Sequence, residues 1–162
     1  MRSSPPSIAY GRFSADMDIG DELYKEIILD NYKAKKNRRR LEDADIKREG
    51  FNPSCGDDIE LFLKLDGDTV TDASYVGVGC SICVASANML CNAITGASVE
   101  QATDVLARMR AMLVDGEEPD FPDSAADLEA LQGVKQFPVR IKCAMLAWNT
   151  LEQMLQDAGL TG

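Results

Sequence analysis

The sequence predicts an α+β fold, in which a small antiparallel β-sheet is packed with helices. Residues 59–78 combine strand-like alternation, an Asp-Gly turn signal and a second extended segment. Three stretches after residue 80 instead carry apolar residues at helical spacing. With 162 residues, 45% of them apolar, the chain is long enough to bury one core without disulfides.

The beginning of the chain is predicted to be less ordered than the rest. Residues 1–18 are rich in serine and proline and lack periodicity, so we expect a flexible extension before a single domain at residues 19–162. Apolar residues at helical spacing predict a first helix around residues 23–31. It ends in a basic run, residues 33–40, that holds six of the seventeen positive charges. Such a run is usually a solvated face, and a docking patch for an acidic partner is the alternative.

The predicted sheet is built on a hairpin. Isoleucine or leucine occupies every second position over residues 59–65, Asp66-Gly67 marks the turn, and the chain returns over Thr69–Val78. Two glycines then precede Cys80 and permit the backbone to turn into a helix. Cys80 is therefore expected beside the free amide groups of a helix start, where a thiolate is favoured.

Three helical patterns follow Cys80. The first covers residues 81–95, and the second opens with Ser98 and Gln101, whose spacing predicts a capping box. An acidic insertion at residues 114–136 comes next, with a short helix expected at residues 125–132. Pro138 then fits the first turn of a last helix that runs to about residue 156.

Charge and composition exclude several classes of function. The net charge of −10 repels phosphate backbones and anionic lipids, so we expect no nucleic-acid partner. The uncharged stretch at residues 73–99 is too poor in strongly apolar side chains for membrane insertion and predicts a buried strand and helix. Five cysteines, an odd number, and a polar beginning without a signal peptide predict reduced thiols and a cytoplasmic location.

Three cysteines and one aspartate stand at predicted element ends, where side chains from distant parts of the chain can converge. Cys55 and Asp57 precede a strand, Cys80 precedes a helix, and Cys143 lies near the start of the last helix. Three thiolates and a carboxylate would complete a tetrahedral zinc site, and the chain has no histidine. Free cysteines are also common in cores, so these residue types alone indicate metal binding, thiol reactivity or packing.

The surrounding motifs narrow this choice. NPSCGD, GVGCSICVASANML and FPVRIKCAMLAWNTLEQ resemble the three cysteine motifs of the IscU/SufU (NifU N-terminal-like) family of iron–sulfur cluster assembly proteins, in the same order. Lys142 before the third cysteine and the acidic insertion resemble the SufU branch, since the IscU branch has a histidine before that cysteine.

The resemblance implies the α+β fold and a zinc ion bound by Cys55, Asp57, Cys80 and Cys143. It further implies a zinc-dependent sulfurtransferase in which Cys55 is the catalytic residue. This thiol would take persulfide sulfur from a SufS-type cysteine desulfurase, and a downstream cluster-assembly scaffold would receive the sulfur. We expect a partner side chain to displace Cys55 from zinc before it reacts.

Further residues near these motifs have two interpretations. Arg140 and Lys142 are candidates for contacts to the sulfurs or to Asp57, or are surface charges. Cys83 and Cys91 are expected to be packing residues rather than relay thiols.

Two functional alternatives remain at this stage. The same cysteines and aspartate would serve a scaffold that assembles an iron–sulfur cluster, with iron or the cluster in place of zinc. Zinc would otherwise be purely structural, and its removal would unfold the protein.

Overall fold

The structure, a computed structural model, describes the backbone of residues 15–161 and the side chains of residues 22–161. Four α-helices, one 3₁₀ helix and three strands make up this part of the chain. In order they are α1 (Ala15–Lys33), β1 (Ile46–Asn52), β2 (Asp57–Asp66), β3 (Thr69–Val78), α2 (Ser81–Ile94), α3 (Val99–Leu113), the 3₁₀ helix (Asp123–Gln136) and α4 (Pro138–Asp157). The α+β class predicted from the sequence is confirmed.

The three strands form one antiparallel sheet in the order β1-β2-β3. The predicted hairpin between β2 and β3 is present, and Gly67 adopts the positive φ of 62° that its turn requires. Strand β1, which the sequence does not predict, pairs with β2 from Ile46 opposite Leu63 to Asn52 opposite Asp57. Because this register places Asn52 directly across from Asp57, the two ends of the β1–β2 turn lie side by side.

Helix α2 is the centre of the core. It packs against α1, α4 and β3, and ten of its fourteen residues are buried. This burial on several sides explains why the segment carries no charge. No helix within residues 15–161 combines the length and the apolar character needed to cross a membrane.

The starts of α3 and α4 are those that the sequence predicts, and the short helix of the acidic insertion is longer than predicted. Ser98 and Gln101 form the expected capping box at the start of α3. Pro138 is the first residue of α4, as predicted. The short helix expected at residues 125–132 is a 3₁₀ helix that spans Asp123–Gln136, within the acidic insertion.

The N-terminal prediction lies largely outside the described residues. Residues 1–14 of the extension predicted at residues 1–18 are not described, and residues 15–18 belong to α1. The division into an extension and one domain at residues 19–162 therefore stays a prediction.

Part of the basic run is bound to the outer face of the sheet. Arg39 forms an ion pair with Asp72 at 2.8 Å, and Arg40 pairs with Glu60 at 3.0 Å. The Arg40 guanidinium also lies 5.2 Å from the centre of the Phe62 ring, within the range of a cation–π contact. The three lysines of the run are exposed. The arginines thus serve the fold, while the lysines form the solvated face that the charge pattern predicts.

Candidate metal centre

The turn between β1 and β2 presents the first two candidate ligands. Residues 53–56 form a tight turn in which the amides of Cys55 and Gly56 both donate to the carbonyl of Asn52, at 3.3 Å and 2.9 Å. Gly56 has a φ of 72°, a conformation that favours glycine. Cys55 is therefore exposed at the tip of the turn, whereas Asp57, the first residue of β2, is fully buried.

Cys80 lies at the strand-to-helix junction, as the sequence predicted. It is the N-cap residue of α2, and its main-chain N–H donates to Asp57 Oδ1 at 3.0 Å. The preceding Gly79 allows this approach, because a Cβ at that position would lie only 2.9 Å from the same oxygen. A buried carboxylate is thus held by the start of the central helix.

Cys143 approaches from the opposite side, on the second turn of α4. Its side chain is fully buried, and its sulfur lies 3.2 Å from the sulfur of Cys55. One donor atom from each of Cys55, Asp57 and Cys143 lies within 4.8 Å of the other two. We call these three residues, which the sequence separates by up to 88 positions, the thiol–carboxylate cluster.

Cys80 borders this cluster, but its sulfur does not belong to the group of donor atoms that all lie within 4.8 Å of one another. Its main-chain N–H contacts Asp57, and the proximity of its thiol adds to the raised pKa of Cys143. The structure therefore brings all four sequence-predicted residues to one end of the strands. Three of them form a close group, and Cys80 lies beside it.

Asn52 also contacts the cluster and was not identified as a site residue by the sequence analysis. Its side-chain amide donates to Asp57 Oδ2 at 3.2 Å and approaches the Cys143 sulfur at 3.7 Å. Only 7% of Asn52 is exposed. Its position at the start of the NPSCGD motif was the available signal, but β1 was not predicted, so nothing indicated that its side chain points inward.

Burial strongly affects the thiols. It raises the pKa of Cys143 well above the usual range, and hydrogen bonds to Cys55, Asp57 and Cys80 raise it further. Burial, followed by the negative charge of Asp57, raises the pKa of Cys83 to about 12. Without a cation, the buried thiols of this region are therefore held in the protonated form.

The donor set fits zinc. Two thiols and one carboxylate converge within bonding reach of a single ion, and Cys80 provides a third thiol beside them. Soft sulfur ligands combined with one oxygen suit Zn²⁺, and thiolates also bind iron. A divalent cation would compensate the negative charge that the buried Asp57 and deprotonated cysteines would bring to this site.

Arg140 and Lys142 lie on the surface of the first two turns of α4. Both side chains are exposed, and within residues 22–161 neither donates a hydrogen bond to the cluster. Arg140 instead lines a groove with Tyr24, Ile82 and Phe137. Their proposed contacts to the sulfurs or to Asp57 therefore stay predictions.

The remaining cysteines, Cys83 and Cys91, are both buried in the core. Burial also raises the pKa of the Cys91 thiol above its ordinary range. Cys83 belongs to a Cys-x-x-Cys spacing with Cys80, at the start of α2, but its sulfur packs against Gly79 inside the protein.

Comparison with known proteins gives one family and several close relatives. Residues 23–144 match the family described as the NifU-like N terminal domain. The zinc-dependent sulfurtransferase SufU of Bacillus subtilis (strain 168) is 45% identical over 141 residues, which cover 87% of this chain and 92% of that protein. The iron–sulfur cluster assembly scaffold protein IscU of Thermotoga maritima is 38% identical over 134 residues, 83% of this chain and 93% of that protein.

A solved structure supports the same comparison. The crystal structure of a protein from Fervidobacterium islandicum AW-1, assigned as an iron–sulfur cluster assembly scaffold for the SUF system, superposes with a TM-score of 0.75. The two sequences are 33% identical, and the match covers 83% of this chain and 97% of that one.

Proposed function

We propose, from the premise that this chain belongs to the NifU-like N-terminal domain family, that it is a zinc-dependent sulfurtransferase of iron–sulfur cluster assembly. Family membership confirms the resemblance to IscU and SufU proteins on which the sequence analysis relied. The proposed zinc ligands are Cys55, Asp57, Cys80 and Cys143. Cys55 is the proposed sulfur acceptor, and a SufS-type cysteine desulfurase is the proposed sulfur donor.

The unequal exposure of the cluster is the observation that carries this proposal. Asp57 and Cys143 are fully buried, while Cys55 is exposed on a turn. A thiol that must reach the active site of another protein has to be accessible, whereas ligands that only retain a metal gain from burial. Cys55 alone in the cluster meets the first requirement.

The proposed transfer step needs no oxidant. A bound Zn²⁺ would keep the cysteine ligands deprotonated at neutral pH. The Cys55 thiolate, once displaced by a partner side chain, attacks the outer sulfur of the desulfurase persulfide. A new S–S bond forms to Cys55, the S–S bond of the desulfurase breaks, and its cysteine leaves as a thiolate. The outer sulfur moves with its proton, so atoms and electrons balance.

Exposed apolar side chains near Cys55 offer a surface for the partner. Phe51 is the penultimate residue of β1, beside the turn, and Val78 ends β3; both lie directly across from Asp58 of β2. Phe137 and Val139 stand at the start of α4, where the Val139 carbonyl lies 3.8 Å from the Cys143 sulfur. Each of the four is at least 59% exposed. Such a patch around a reactive group is typical of a protein-binding site, and we assign it to the desulfurase.

The proposal is tested by desulfurase turnover. Alanine release by a SufS-type enzyme is measured in the presence of a reductant, with and without the zinc-loaded protein. We expect a several-fold increase with the wild-type chain and none with Cys55→Ser. Cys91→Ala, which removes a core thiol instead, is the matched control and should retain the increase.

Two results would contradict the assignment. A Cys55→Ser variant that keeps zinc and still transfers sulfur at the normal rate would show that Cys55 is not the acceptor. No stimulation by the wild-type protein would refute sulfur transfer as its activity.

A scaffold function is the second candidate, because relatives at 38% and 35% identity are named IscU scaffolds. The same cysteines and Asp57 would then hold iron or an iron–sulfur cluster. Anaerobic purification should in that case give a brown protein with bound iron and labile sulfide. A colourless zinc protein that stimulates the desulfurase would instead support the sulfurtransferase and argue against the scaffold.

A further inference from the structure

Asn52 makes contact with three of the four proposed ligand positions. Its side-chain amide reaches Asp57 Oδ2 and the Cys143 sulfur, at 3.2 Å and 3.7 Å, and its carbonyl accepts from the Cys55 amide at 3.3 Å. The Asp57 carboxylate is thus bound on both oxygens, because its Oδ1 accepts from the Cys80 N–H. The Cys55 thiol, in contrast, receives no hydrogen bond from the Asn52 side chain.

This difference in hydrogen bonding affects how strongly each proposed ligand would bind a metal ion. A hydrogen bond to a thiolate withdraws electron density from the sulfur and lowers its nucleophilicity. The bond also fixes the orientation of the donor atom, so less conformational freedom is lost when a metal binds. Through the Asn52 amide, both effects act on Cys143 and the second acts on Asp57, whereas neither reaches the side chain of Cys55.

We propose that Asn52 is a positioning residue that fixes Asp57 and Cys143 as retained ligands and leaves Cys55 as the exchangeable thiol. The proposal rests on the proposed function, since it explains which of the sulfur ligands leaves the metal. Asn52 is proposed neither as a metal ligand nor as a residue that contacts the sulfur being transferred. Its amide acts through Asp57 and Cys143.

Removal of the amide tests the proposal. Asn52→Ala and the similarly sized Asn52→Leu both eliminate the amide donors, while the main-chain contacts of residue 52 stay available to each variant. Asn37→Ala is the matched control, because Asn37 is also a buried asparagine whose amide bonds to Asn88 and Asn92, away from the cluster. Circular dichroism establishes that each variant is folded before metal is added.

Zinc affinity is the first readout and is measured by competition with a chromophoric chelator. We expect both Asn52 variants to bind zinc about 10–100-fold more weakly, the range for loss of a residue that orients metal ligands. Asn37→Ala should match the wild type. Unchanged affinity in the folded Asn52 variants, or an equal loss in Asn37→Ala, would overturn the proposal.

The visible spectrum of the Co²⁺-substituted protein is the second readout. A hydrogen bond lowers the energy of the sulfur lone pairs, so its removal should shift the sulfur-to-cobalt charge-transfer band to longer wavelength in the Asn52 variants. A merely structural role would leave this band in place, and that result would also overturn the proposal. Neither readout involves the desulfurase, so failure of the sulfur-transfer proposal would be a separate result.

Discussion

A buried chain of hydrogen bonds connects helix α4, which carries Cys143, with helix α2, whose N-cap residue is Cys80. Trp148 Nε1 donates to Ser86 Oγ at 3.0 Å, and Ser86 Oγ donates to the carbonyl of Ala144 at 2.7 Å. All three residues are completely buried. Ser86→Ala would leave the indole N–H of Trp148 in the core without a partner, and we expect this change to destabilise the fold.

The expected magnitude follows from the cost of an unsatisfied buried donor. That cost is about 1–3 kcal/mol, so Ser86→Ala should lower the free energy of unfolding by about 2 kcal/mol. With a urea slope of about 2 kcal/mol per molar, typical of small proteins, the unfolding midpoint should fall by about 1 M. The assay is a urea titration followed by fluorescence of Trp148, the chain's single tryptophan. A chelator is included so that metal binding adds nothing to the measured stability.

A double-mutant cycle separates the lost hydrogen bond from other effects. Trp148→Phe removes the donor, so Ser86→Ala should cost less in that background, by about 1 kcal/mol, when unfolding is followed by circular dichroism. A Ser86→Ala loss below about 0.5 kcal/mol, the size of an ordinary surface effect, would refute the reasoning. Strictly additive effects of the two substitutions would refute it as well.

Three further predictions concern the site, a helix start and an ion pair. Gly79→Ala should weaken zinc binding about 10-fold in a chelator competition, because its Cβ would lie 2.9 Å from Asp57 Oδ1 and displace an oriented ligand; unchanged affinity would contradict this. Ser98→Ala should lower the free energy of unfolding by about 1 kcal/mol, the usual value of an N-cap, whereas no change in the urea midpoint would show that the cap contributes nothing. Hydrogen bonding to Lys64 lowers the pKa of Asp43, so the pair should stabilise the fold above the carboxyl pKa of the unfolded chain. That contribution should be lost as the pH falls through the lower pKa of Asp43 in the folded state. The free energy of unfolding, measured from pH 7 to pH 2, checks this, and the loss should be absent in Asp43→Asn.

Local sequence signals predicted the elements with strong start and stop residues. The hairpin was readable because its apolar residues alternate and Asp66-Gly67 supplies the turn. The capping box at Ser98 and the proline at the start of α4 were equally local. Each of these features depends on neighbouring residues alone, so no knowledge of the tertiary structure was required.

Strand β1 could not be predicted because Ile46 is the one apolar residue among its four inward positions. The inward-facing residues of β1 include Arg48, Gly50 and Asn52, which carry no hydrophobic alternation. Gly50 is required by a contact with α4, since a Cβ at this position would overlap Thr150 Oγ1. A partner 100 residues away in the sequence determines this glycine, and the strand itself gives no indication of it.

The candidate site was predictable in its residue types but not in its internal differences. The cysteine motifs predicted Cys55, Asp57, Cys80 and Cys143, and the fold brings these residues together at one end of the strands. Which thiol is exposed, and which is hydrogen-bonded by Asn52, depends on the register of β1 with β2. That register is a property of the folded sheet, so the contacts of Asn52 became visible only in the structure.

The shortness of the turn at residues 53–56 sets the local concentration of the reactive thiol. Two hydrogen bonds to one carbonyl close this turn, so the Cys55 sulfur would stay tethered near the other proposed ligands if it left a bound metal. An intramolecular ligand on a short tether acts at an effective concentration in the millimolar range or above. A free thiol in solution would then have to compete for the metal with the Cys55 thiol, which remains attached to the same chain. In the proposed transfer, Cys55 would therefore be able to leave for a docked partner and to return once its sulfur had been passed on.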